Sequence, residues 1–410
     1  MLSSKRQNEL LARVNFPLYA VRSLSERHVL VAGGGGNAKS GILNVIEIYE
    51  LIQNGSTCRA ESVTHYETGS EAIMSCAVYS AGKYYILFAS MAGGCQIYKI
   101  KYEIAEDDHI EKNSYSDKLS EPYIRKRAQT AELDSPSQIS NLNCKTSDTN
   151  DNVIHSKLRF KIQPLESFQT DFSDDPYQKL VKFSSSANLL VTGGADGHVR
   201  LWKYPELKKI HDIAAHLDDV DDLDICPSGK KIVTVSRDGY GKVWNSETGC
   251  LITDLKYVLP HKSDGKYIFR SCRFGIVDDK NELVLFGTLN PSVRKRPPSE
   301  CYICKWDTKQ FSLVKIAAVG TDMLSVIAIS DNGRFIALGT QDGTVKMYIA
   351  FNLQLVYSVD RIHNIFVTGL EFLPSCDESR RITGGHEASL ISISVDNHII
   401  IHHIPERGSM

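Results

Sequence analysis

Two segments of this chain share one spacing and one chemistry. In the first, Asp196 is followed six residues later by Trp202, and in the second Asp238 is followed six residues later by Trp244. The two aspartates are 42 residues apart, and so are the two tryptophans. This is the period of the WD repeat, in which each copy forms one four-stranded blade of a β-propeller. The spacing therefore predicts a propeller before any function is considered.

Two weaker copies extend the pattern. Asp342 precedes Tyr348 by six residues, and Trp306 lies 42 residues before Tyr348. In the strong copies, β-branched runs flank an Asp-Gly pair, which predicts two strands around a tight turn. The aspartate can accept hydrogen bonds from the turn and from a histidine about 20 residues upstream, and His216 suits Asp238. We interpret these groups as structural, because this fold repeats them for stability.

The strand patterns predict an all-β fold, a single seven-bladed WD-repeat β-propeller over residues 15–405. Blade one is predicted at about residues 16–50 and blade two at 51–104. The next four blades are predicted to end at these aromatic residues: Trp202, Trp244, Trp306 and Tyr348. Residues 398–404 form a last apolar run, which we expect to pair near blade one and close the ring, since an open ring would leave an unpaired sheet edge.

Residues 105–152 break the repeat. They are rich in Asp, Glu, Ser, Lys and Asn and have few large apolar side chains. Such a segment cannot bury enough apolar surface to offset the entropy lost on ordering. We predict a disordered insertion between blades two and three. A shorter insertion, residues 290–300 in blade five, carries the basic run Arg294, Lys295 and Arg296.

Composition excludes several classes of function. The net charge is −2, so no global positive field attracts nucleic acid. The ten cysteines are unpatterned, which favours a reducing compartment. Cys301 and Cys304 form a CxxC on a predicted strand, but with no second ligand pair we expect core residues rather than a zinc site. Residues 1–15 have no apolar stretch, so we expect no signal peptide, and no run of about 18 apolar residues predicts a membrane span.

The largest departure from the repeat lies in blade one, at residues 32–44, which we call the glycine loop. Here four consecutive glycines, Gly33 to Gly36, and then Gly41 replace the short Asp-Gly turn. A loop of this kind can bind a cation through carbonyls or an anion through amides, or it can be a merely flexible turn. No helix pattern follows, so it is not a nucleotide-binding loop of the usual kinds. Two adjacent apolar residues, Ile42 and Leu43, favour a contact surface.

The remaining charged and histidine groups have ordinary interpretations. The basic runs 125–127 and 294–296 are short and typical of solvated loops. The histidines His398, His402 and His403 alternate along a strand, which makes a shared ligand geometry improbable. Five aspartates crowd residues 218–224 without the Gly and Glu of a calcium loop, so we interpret them as a solvated or partner-facing patch. They are Asp218, Asp219, Asp221, Asp222 and Asp224. Nothing in the spacing predicts a catalytic triad or paired carboxylates, so a binding module is favoured over an enzyme.

Stretches across nearly the whole chain resemble a known family. They are Phe16 to Ala20, Ala32 to Gly36 with Gly41, Ile42 and Asn44, Thr170 to Ser173 through Pro176, Cys272 to Gly275, Tyr348 to Phe351, and Gly385 to Glu387. The chain resembles the endoplasmic reticulum exchange factors, known in animals as prolactin regulatory element-binding proteins. That family loads GTP onto the small GTPase that initiates COPII coat assembly.

The resemblance implies a function for the glycine loop. In that family the loop is organised around a potassium ion and inserts against the GTPase near its nucleotide pocket. By this resemblance Gly33, Gly34, Gly35, Gly36 and Gly41 shape the loop and bind the cation together with Asn44. Ile42 and Asn44 are expected to contact the GTPase, whereas residues 37–40 match no fixed family pattern.

The resemblance also implies a place of action, the cytosolic face of the endoplasmic reticulum. Family members carry one membrane anchor after the propeller, and we expect any membrane attachment to depend on such an anchor, beyond Met410. Two other functions stay open. One is a WD-repeat scaffold that binds partners without changing nucleotide release. The other is a DNA-binding transcriptional regulator, although no basic face or reading helix is visible.

Overall fold

The computed structural model describes residues 8–38, 40–55, 57–104, 158–260, 265–277 and 282–406. Within these residues the chain forms seven four-stranded antiparallel sheets. This arrangement confirms the predicted all-β, seven-bladed WD-repeat propeller. The chain divides into two compact units, one of residues 1–102 and 160–410 and the other of residues 103–159. The predicted disorder of residues 105–152 concerns residues outside the described ranges.

The strands are numbered in chain order. The first, β1 (Asn8–Arg13), belongs to the last blade. Blades one to three contain β2 (Leu18–Ser23), β3 (His28–Gly33), β4 (Asn44–Asn54), β5 (Thr57–Gly69); β6 (Ser75–Ser80), β7 (Tyr84–Met91), β8 (Gly94–Ile104), β9 (Leu158–Gln169); and β10 (Gln178–Ser184), β11 (Leu189–Gly194), β12 (His198–Lys203), β13 (Lys208–Ala214).

Blades four to seven follow in the same order. They contain β14 (Val220–Ile225), β15 (Lys231–Ser236), β16 (Gly241–Asn245), β17 (Leu251–Asp254); β18 (Tyr267–Val277), β19 (Glu282–Pro291), β20 (Cys301–Asp307), β21 (Leu313–Gly320); β22 (Leu324–Ile329), β23 (Phe335–Thr340), β24 (Val345–Ile349), β25 (Gln354–Val359); and β26 (Val367–Phe372), β27 (His386–Ser394), β28 (His398–Pro405). A short helix, α1 (Asp377–Ile382), joins β26 to β27.

The two ends of the chain close the ring. Strand β1 pairs antiparallel with β28, so that Asn8 lies opposite His402 and Arg13 opposite His398. The last apolar run therefore closes the ring as expected, but it does so as the third strand of blade seven, and its partner is the N-terminal strand rather than blade one. The propeller accordingly begins at Asn8, before the predicted start at residue 15.

The first strands of neighbouring blades contact one another all the way round, from β2 through β6, β10, β14, β18 and β22 to β26 and back to β2. They surround a central channel. Because successive strands run in opposite directions, one face of the ring carries the connections from second to third strands and from each blade to the next. We call this the upper face, and the glycine loop lies on it.

The long insertion differs in position from the prediction. Strands β8 and β9 belong to the same sheet, so the chain between them interrupts blade two rather than separating blades two and three. The aromatic residues expected to end their blades also lie one strand earlier. Trp202, for example, is in β12, the third strand of its sheet, and a fourth strand follows it.

The WD-repeat pairing predicted for His216 is confirmed. Trp244 Nε1 donates to Thr234 Oγ1 at 2.9 Å, His216 Nε2 lies 2.8 Å from the same hydroxyl, and His216 Nδ1 lies 2.9 Å from Asp238 Oδ2. Because a carboxylate only accepts, the imidazole donates from Nδ1 to Asp238, which leaves Nε2 to accept from the hydroxyl of Thr234. The four groups form a satisfied, buried chain with a structural role.

The five clustered aspartates do not form a uniformly solvated patch. Asp222 is buried, and its Oδ2 accepts from Arg273 Nη1 at 2.6 Å. Asp224 pairs with Lys182 at 3.5 Å. These pairs line a cavity of about 660 Å³ in the central channel. The prediction was wrong for these members because strand β14 directs them inward, where cations of neighbouring blades neutralise them.

Cys301 and Cys304 are both fully buried, as predicted for core residues. Cys301 packs with Ile303 and Val319, whereas Cys304 packs in a different cluster with Trp306. Burial raises the pKa of Cys301 to about 12 and raises the pKa of Cys304 well above its usual range. Both thiols therefore stay protonated at neutral pH and serve packing.

Two buried histidines make the fold sensitive to acid. Burial, as the largest cause, lowers the pKa of both His402 and His403 to about 3. In the unfolded chain these groups titrate near 6.5, so between about pH 6.5 and 3 the unfolded state binds more protons. We expect the free energy of unfolding to fall as the pH drops through this window, by about 4 kcal/mol between pH 7 and 5 for the two groups.

Urea unfolding at pH 7 and pH 5 measures this loss. The variant His403→Gln should reduce the pH dependence by about 2 kcal/mol, the contribution of one such histidine. Equal unfolding free energies at the two pH values in the unsubstituted protein contradict the expectation.

Candidate functional site on the glycine loop

The glycine loop leaves β3 at Gly33 and enters β4 at Asn44. All of its residues except Lys39 are described. At Gly33 an added Cβ would lie 1.9 Å from the carbonyl oxygen of Pro17. The amide of Gly34 donates to that same oxygen at 2.9 Å. Only glycine permits this close backbone approach, which fixes the start of the loop against the segment before β2.

Asn44 holds both sides of the loop together. Its Oδ1 accepts from the amide of Gly36 at 2.8 Å, and its Nδ2 donates to the carbonyl of Gly36 at 3.1 Å. The same Nδ2 donates to the carbonyl of Gly69 at 2.9 Å, at the end of the outer strand. Three hydrogen bonds from one buried amide make this loop a braced hairpin rather than a flexible turn.

The placement of Asn44 bears on its predicted roles. The side chain is only 4% exposed, so it offers almost no surface to a partner. Its amide is occupied within the loop, and the direct contact of Asn44 with a GTPase stays a prediction. Its role is to position the loop.

The tip of the loop presents apolar surface. Ile42 is 38% exposed and Leu43 is 48% exposed. The amide of Ile42 donates to Ser40 Oγ at 3.4 Å, and the amide of Ser40 donates to the carbonyl of Ala38 at 2.7 Å. Two adjacent apolar side chains are therefore carried outward on a loop whose base is fixed, an arrangement suited to contact with another protein.

Oxygen atoms, together with carbon atoms of Asn44 and Ile42, lie close to Gly34 and Gly35 on the inside of the loop. An added Cβ on Gly34 would meet Asn44 Oδ1 at 2.3 Å and the carbonyl oxygen of Leu43 at 2.7 Å. On Gly35 it would meet Ser40 Oγ at 2.6 Å and the carbonyl oxygen of Ile42 at 3.1 Å. Neutral carbonyl and hydroxyl oxygens are the donors that suit potassium. The residues thus fit the alkali cation implied by the resemblance, and the loop brings together Gly33, Gly34, Gly35, Gly36, Gly41, Ile42 and Asn44.

Sequence reasoning missed further apolar groups on the upper face. Phe172, Leu217 and Tyr240 are exposed in loops of blades two to four. Phe172 contacts two cations, since Arg200 and Lys209 lie 5.1 Å and 4.9 Å from its ring. Its loop is stabilised by Asp171, which accepts from the amides of residues 173 and 177. The sequence signal that could have found Phe172 was an aromatic residue within an otherwise polar connection between two strands.

The other candidates occupy ordinary positions. Residues 294–296 are exposed in the connection from β19 to β20, as predicted, and Arg294 donates to Gln341 at 2.6 Å. The run 125–127 lies outside the described residues. His402 and His403 are both buried and bond to different neighbours, Tyr357 and Ser389 respectively. These two therefore share no ligand geometry, as expected.

Within the described ranges, no helix has the length and apolar character needed to cross a bilayer.

Comparisons with known proteins agree with the fold and add a family. The model of the family described as "WD domain, G-beta repeat" matches residues 180–203 and 207–245. The chain is 37% identical over 413 residues to guanine nucleotide-exchange factor SEC12 of Mus musculus, which covers 99% of the chain and 93% of that protein. It is 36% identical to the protein of the same name from Rattus norvegicus, with the same coverage. It is also 26% identical over 48% of its length to SEC12-like protein 1 of Arabidopsis thaliana, of which 46% is covered.

Proposed function

The chain belongs to the SEC12 family of guanine nucleotide-exchange factors, and on this premise we propose that it acts on the small GTPase that initiates COPII coat assembly. It promotes GDP release from that GTPase and the GTP loading that follows. The observation that supports the proposal most strongly is the glycine loop. Hydrogen bonds of the buried Asn44 side chain hold its base, and Ile42 and Leu43 are exposed at its tip.

The mechanism we propose is a difference in binding free energy. An exchange factor that binds the nucleotide-free GTPase more tightly than the GDP-bound form lowers the affinity for GDP by the same coupling free energy. Each ~1.4 kcal/mol of difference is worth about tenfold in GDP affinity. No side chain of this protein has to act as a nucleophile or proton donor, so the activity involves no covalent chemistry on the protein.

The rigidity of the glycine loop increases the coupling free energy between binding of this protein and release of GDP. A flexible loop loses conformational entropy when it inserts against a partner, and that loss subtracts from binding. Here the hydrogen bonds of Asn44 and the contact of Gly34 with Pro17 order the loop before the partner arrives. The free energy of apolar contact at Ile42 and Leu43 is then available to favour the nucleotide-free GTPase.

A potassium ion would be held by the oxygens that line the loop: the carbonyls of Ile42 and Leu43, Ser40 Oγ and Asn44 Oδ1. When bound, the ion supplies a positive charge that offsets the mutual repulsion of these oxygens. The protein groups themselves orient the loop, and the tip residues contact the partner. The cytosolic face of the endoplasmic reticulum is the place of action that this function implies.

A nucleotide-release assay tests the function. The COPII-initiating GTPase is loaded with a fluorescent GDP analogue and release is followed in excess GTP as this protein is added. We expect saturable acceleration of tenfold or more, and no acceleration with a small GTPase of another class. An unchanged release rate rejects the proposal and leaves a scaffold, whereas salt-resistant DNA binding in a gel-shift titration would favour the transcriptional alternative.

The proposed potassium site gives a further expected result. Exchange should be several-fold faster in potassium than in sodium at constant ionic strength, because the smaller ion fits a carbonyl-lined loop less well. The GTPase alone, measured in the same two salts, is the control for intrinsic release. Equal accelerated rates in both salts would contradict potassium binding without affecting the exchange function itself.

A further inference from the structure

A cluster of three possible metal ligands lies in blade seven, on the upper face. His363 Nδ1 is 3.2 Å from Asp396 Oδ1, and His398 Nδ1 is 3.3 Å from Asp396 Oδ2. One ligand atom from each residue lies within 4.8 Å of the others. His363 comes from the connection between blades six and seven, whereas Asp396 lies in the turn between β27 and β28 and His398 begins β28.

The spacing of these atoms suits a small transition metal. Zinc binds imidazole nitrogen and carboxylate oxygen at about 2.0–2.2 Å, so two ligands of a tetrahedral site lie about 3.4 Å apart. The two observed histidine-to-carboxylate distances, 3.2 and 3.3 Å, are close to this value. The ligand atoms of His363 and His398 lie within 4.8 Å of each other, and metal binding requires this separation to be about 3.4 Å, which movement of the partly exposed His398 ring would provide.

The surroundings of His363 differ from those of its counterpart in blade four. There, the carboxylate of Asp238 only accepts and Trp244 only donates, so a reversed chain would leave the hydroxyl hydrogen of Thr234 without an acceptor among these groups. In blade seven His402 occupies the tryptophan position, six residues after Asp396, and its Nε2 lies 2.8 Å from Ser392 Oγ. Since imidazole nitrogen can donate or accept, the direction of the chain can reverse when a metal ion replaces the hydrogen bond from His363 Nδ1 to Asp396.

Reversal gives His363 the tautomer that a metal ion requires, with the proton on Nε2 and the lone pair on Nδ1. His363 Nε2 lies 2.7 Å from Ser392 Oγ, and in the reversed chain it donates to this hydroxyl. The hydroxyl in turn donates to His402, so that Nδ1 of His363 presents a lone pair toward Asp396. A ligating histidine whose other nitrogen donates to a fixed acceptor is the usual arrangement at metal centres.

We propose that His363, Asp396 and His398 form a binding site for one divalent transition-metal ion of the zinc type. The side chain of His398 is 20% exposed, which gives the ion a path from solvent and leaves a fourth position for water. The spacing along the chain did not predict this site, because His363 is 33 residues before Asp396.

The site lies next to the segment that leads to the glycine loop. The amide of Val14 donates to the carbonyl of Asn397 at 3.0 Å, within the turn that carries the ligands. Pro17, three residues further along the chain, accepts from Gly34. Metal binding would therefore link two connections of blade seven beside the base of the glycine loop. It would stabilise the folded state, because the site does not exist in the unfolded chain.

Metal titration of the full chain tests the proposal. After dialysis against chelator, the protein is titrated with Zn²⁺ by calorimetry, and with Co²⁺ followed by its visible absorption. We expect one Zn²⁺ more per chain than in His398→Ala, or at least tenfold tighter binding, with tetrahedral cobalt absorption that Zn²⁺ abolishes. The melting temperature should rise with Zn²⁺ in the unsubstituted protein only.

A matched control is His198→Ala. His198 follows Asp196 by two residues, as His398 follows Asp396, but its Nδ1 lies 2.7 Å from Asp212 instead. This variant should bind Zn²⁺ like the unsubstituted protein. His398→Ala should keep its melting temperature in chelator, because His398 is outside the buried chain from His363 to His402. Zinc binding that is equal in His398→Ala and the unsubstituted protein, or no binding by either, overturns the proposal.

Discussion

Asn44→Ala is expected to lower the accelerated rate of GDP release by at least tenfold, equivalent to about 1.4 kcal/mol of coupling. The substitution removes all three hydrogen bonds that join Gly36 and Gly69 to the Asn44 side chain. The loop then has to order itself during binding, and that entropy is lost from the interaction with the GTPase. Stopped-flow release of a fluorescent GDP analogue measures the effect.

A control on the same strand separates the loop from the blade. Asn54→Ala removes an exposed amide at the far end of β4 and should leave exchange unchanged. The two variants should also have similar free energies of unfolding, since the hydrogen bonds of Asn44 hold a surface loop and not the sheet. Full exchange activity in Asn44→Ala would show that bracing of the loop is not needed.

Asp222→Asn is expected to destabilise the propeller by about 3 kcal/mol. Asp222 Oδ2 accepts from Arg273 Nη1 and from the amide of Cys272, while Oδ1 accepts from the amide of Leu223. The neutral isostere removes the charge that compensates a buried guanidinium, and its NH₂ must face one of these donors whichever way it is turned. Asp222 and its neighbours also raise the pKa of Arg273 above its usual range, despite the opposing effect of burial, so the guanidinium stays charged.

Urea unfolding measures this loss. Asp254→Asn serves as the control, because Asp254 is an exposed carboxylate on the outer strand of the same blade; it should change the unfolding free energy by less than about 0.5 kcal/mol. If both variants unfold at the same urea concentration, the channel ion pairs contribute nothing measurable to stability.

The blade architecture could be predicted because its signal is local. Six residues from Asp238 to Trp244 contain a turn and the strand that follows, and the pattern repeats with a fixed period. Closure of the ring is not local. Strand β1 is short, has no turn signal before it, and finds its partner nearly four hundred residues later in β28. Composition likewise located the insertion but gave no information on which strands pair across it, so its place within blade two was missed.

The glycine loop was visible in the sequence for a physical reason. Gly33 has no room for a side chain beside Pro17, so this position requires glycine, and the glycines can be read directly from the sequence. The burial of Asn44 was not visible, since an asparagine at a loop end can hold the loop or face a partner equally well. The pair of His363 and Asp396 was missed because His402 replaces the tryptophan that follows the aspartate in the other repeats. The six-residue spacing is present, but without the tryptophan the repeat was not recognised.

The most direct measurement is the rate of GDP release from the COPII-initiating GTPase with the unsubstituted protein and with Ile42→Ala. Ile42 is exposed, so its truncation leaves the fold intact and alters only the surface offered by the glycine loop. We predict strong acceleration by the unsubstituted protein and a clear loss in the variant at an unchanged melting temperature. Equal rates for the two proteins would contradict insertion of the loop, and no acceleration by either would contradict exchange activity itself.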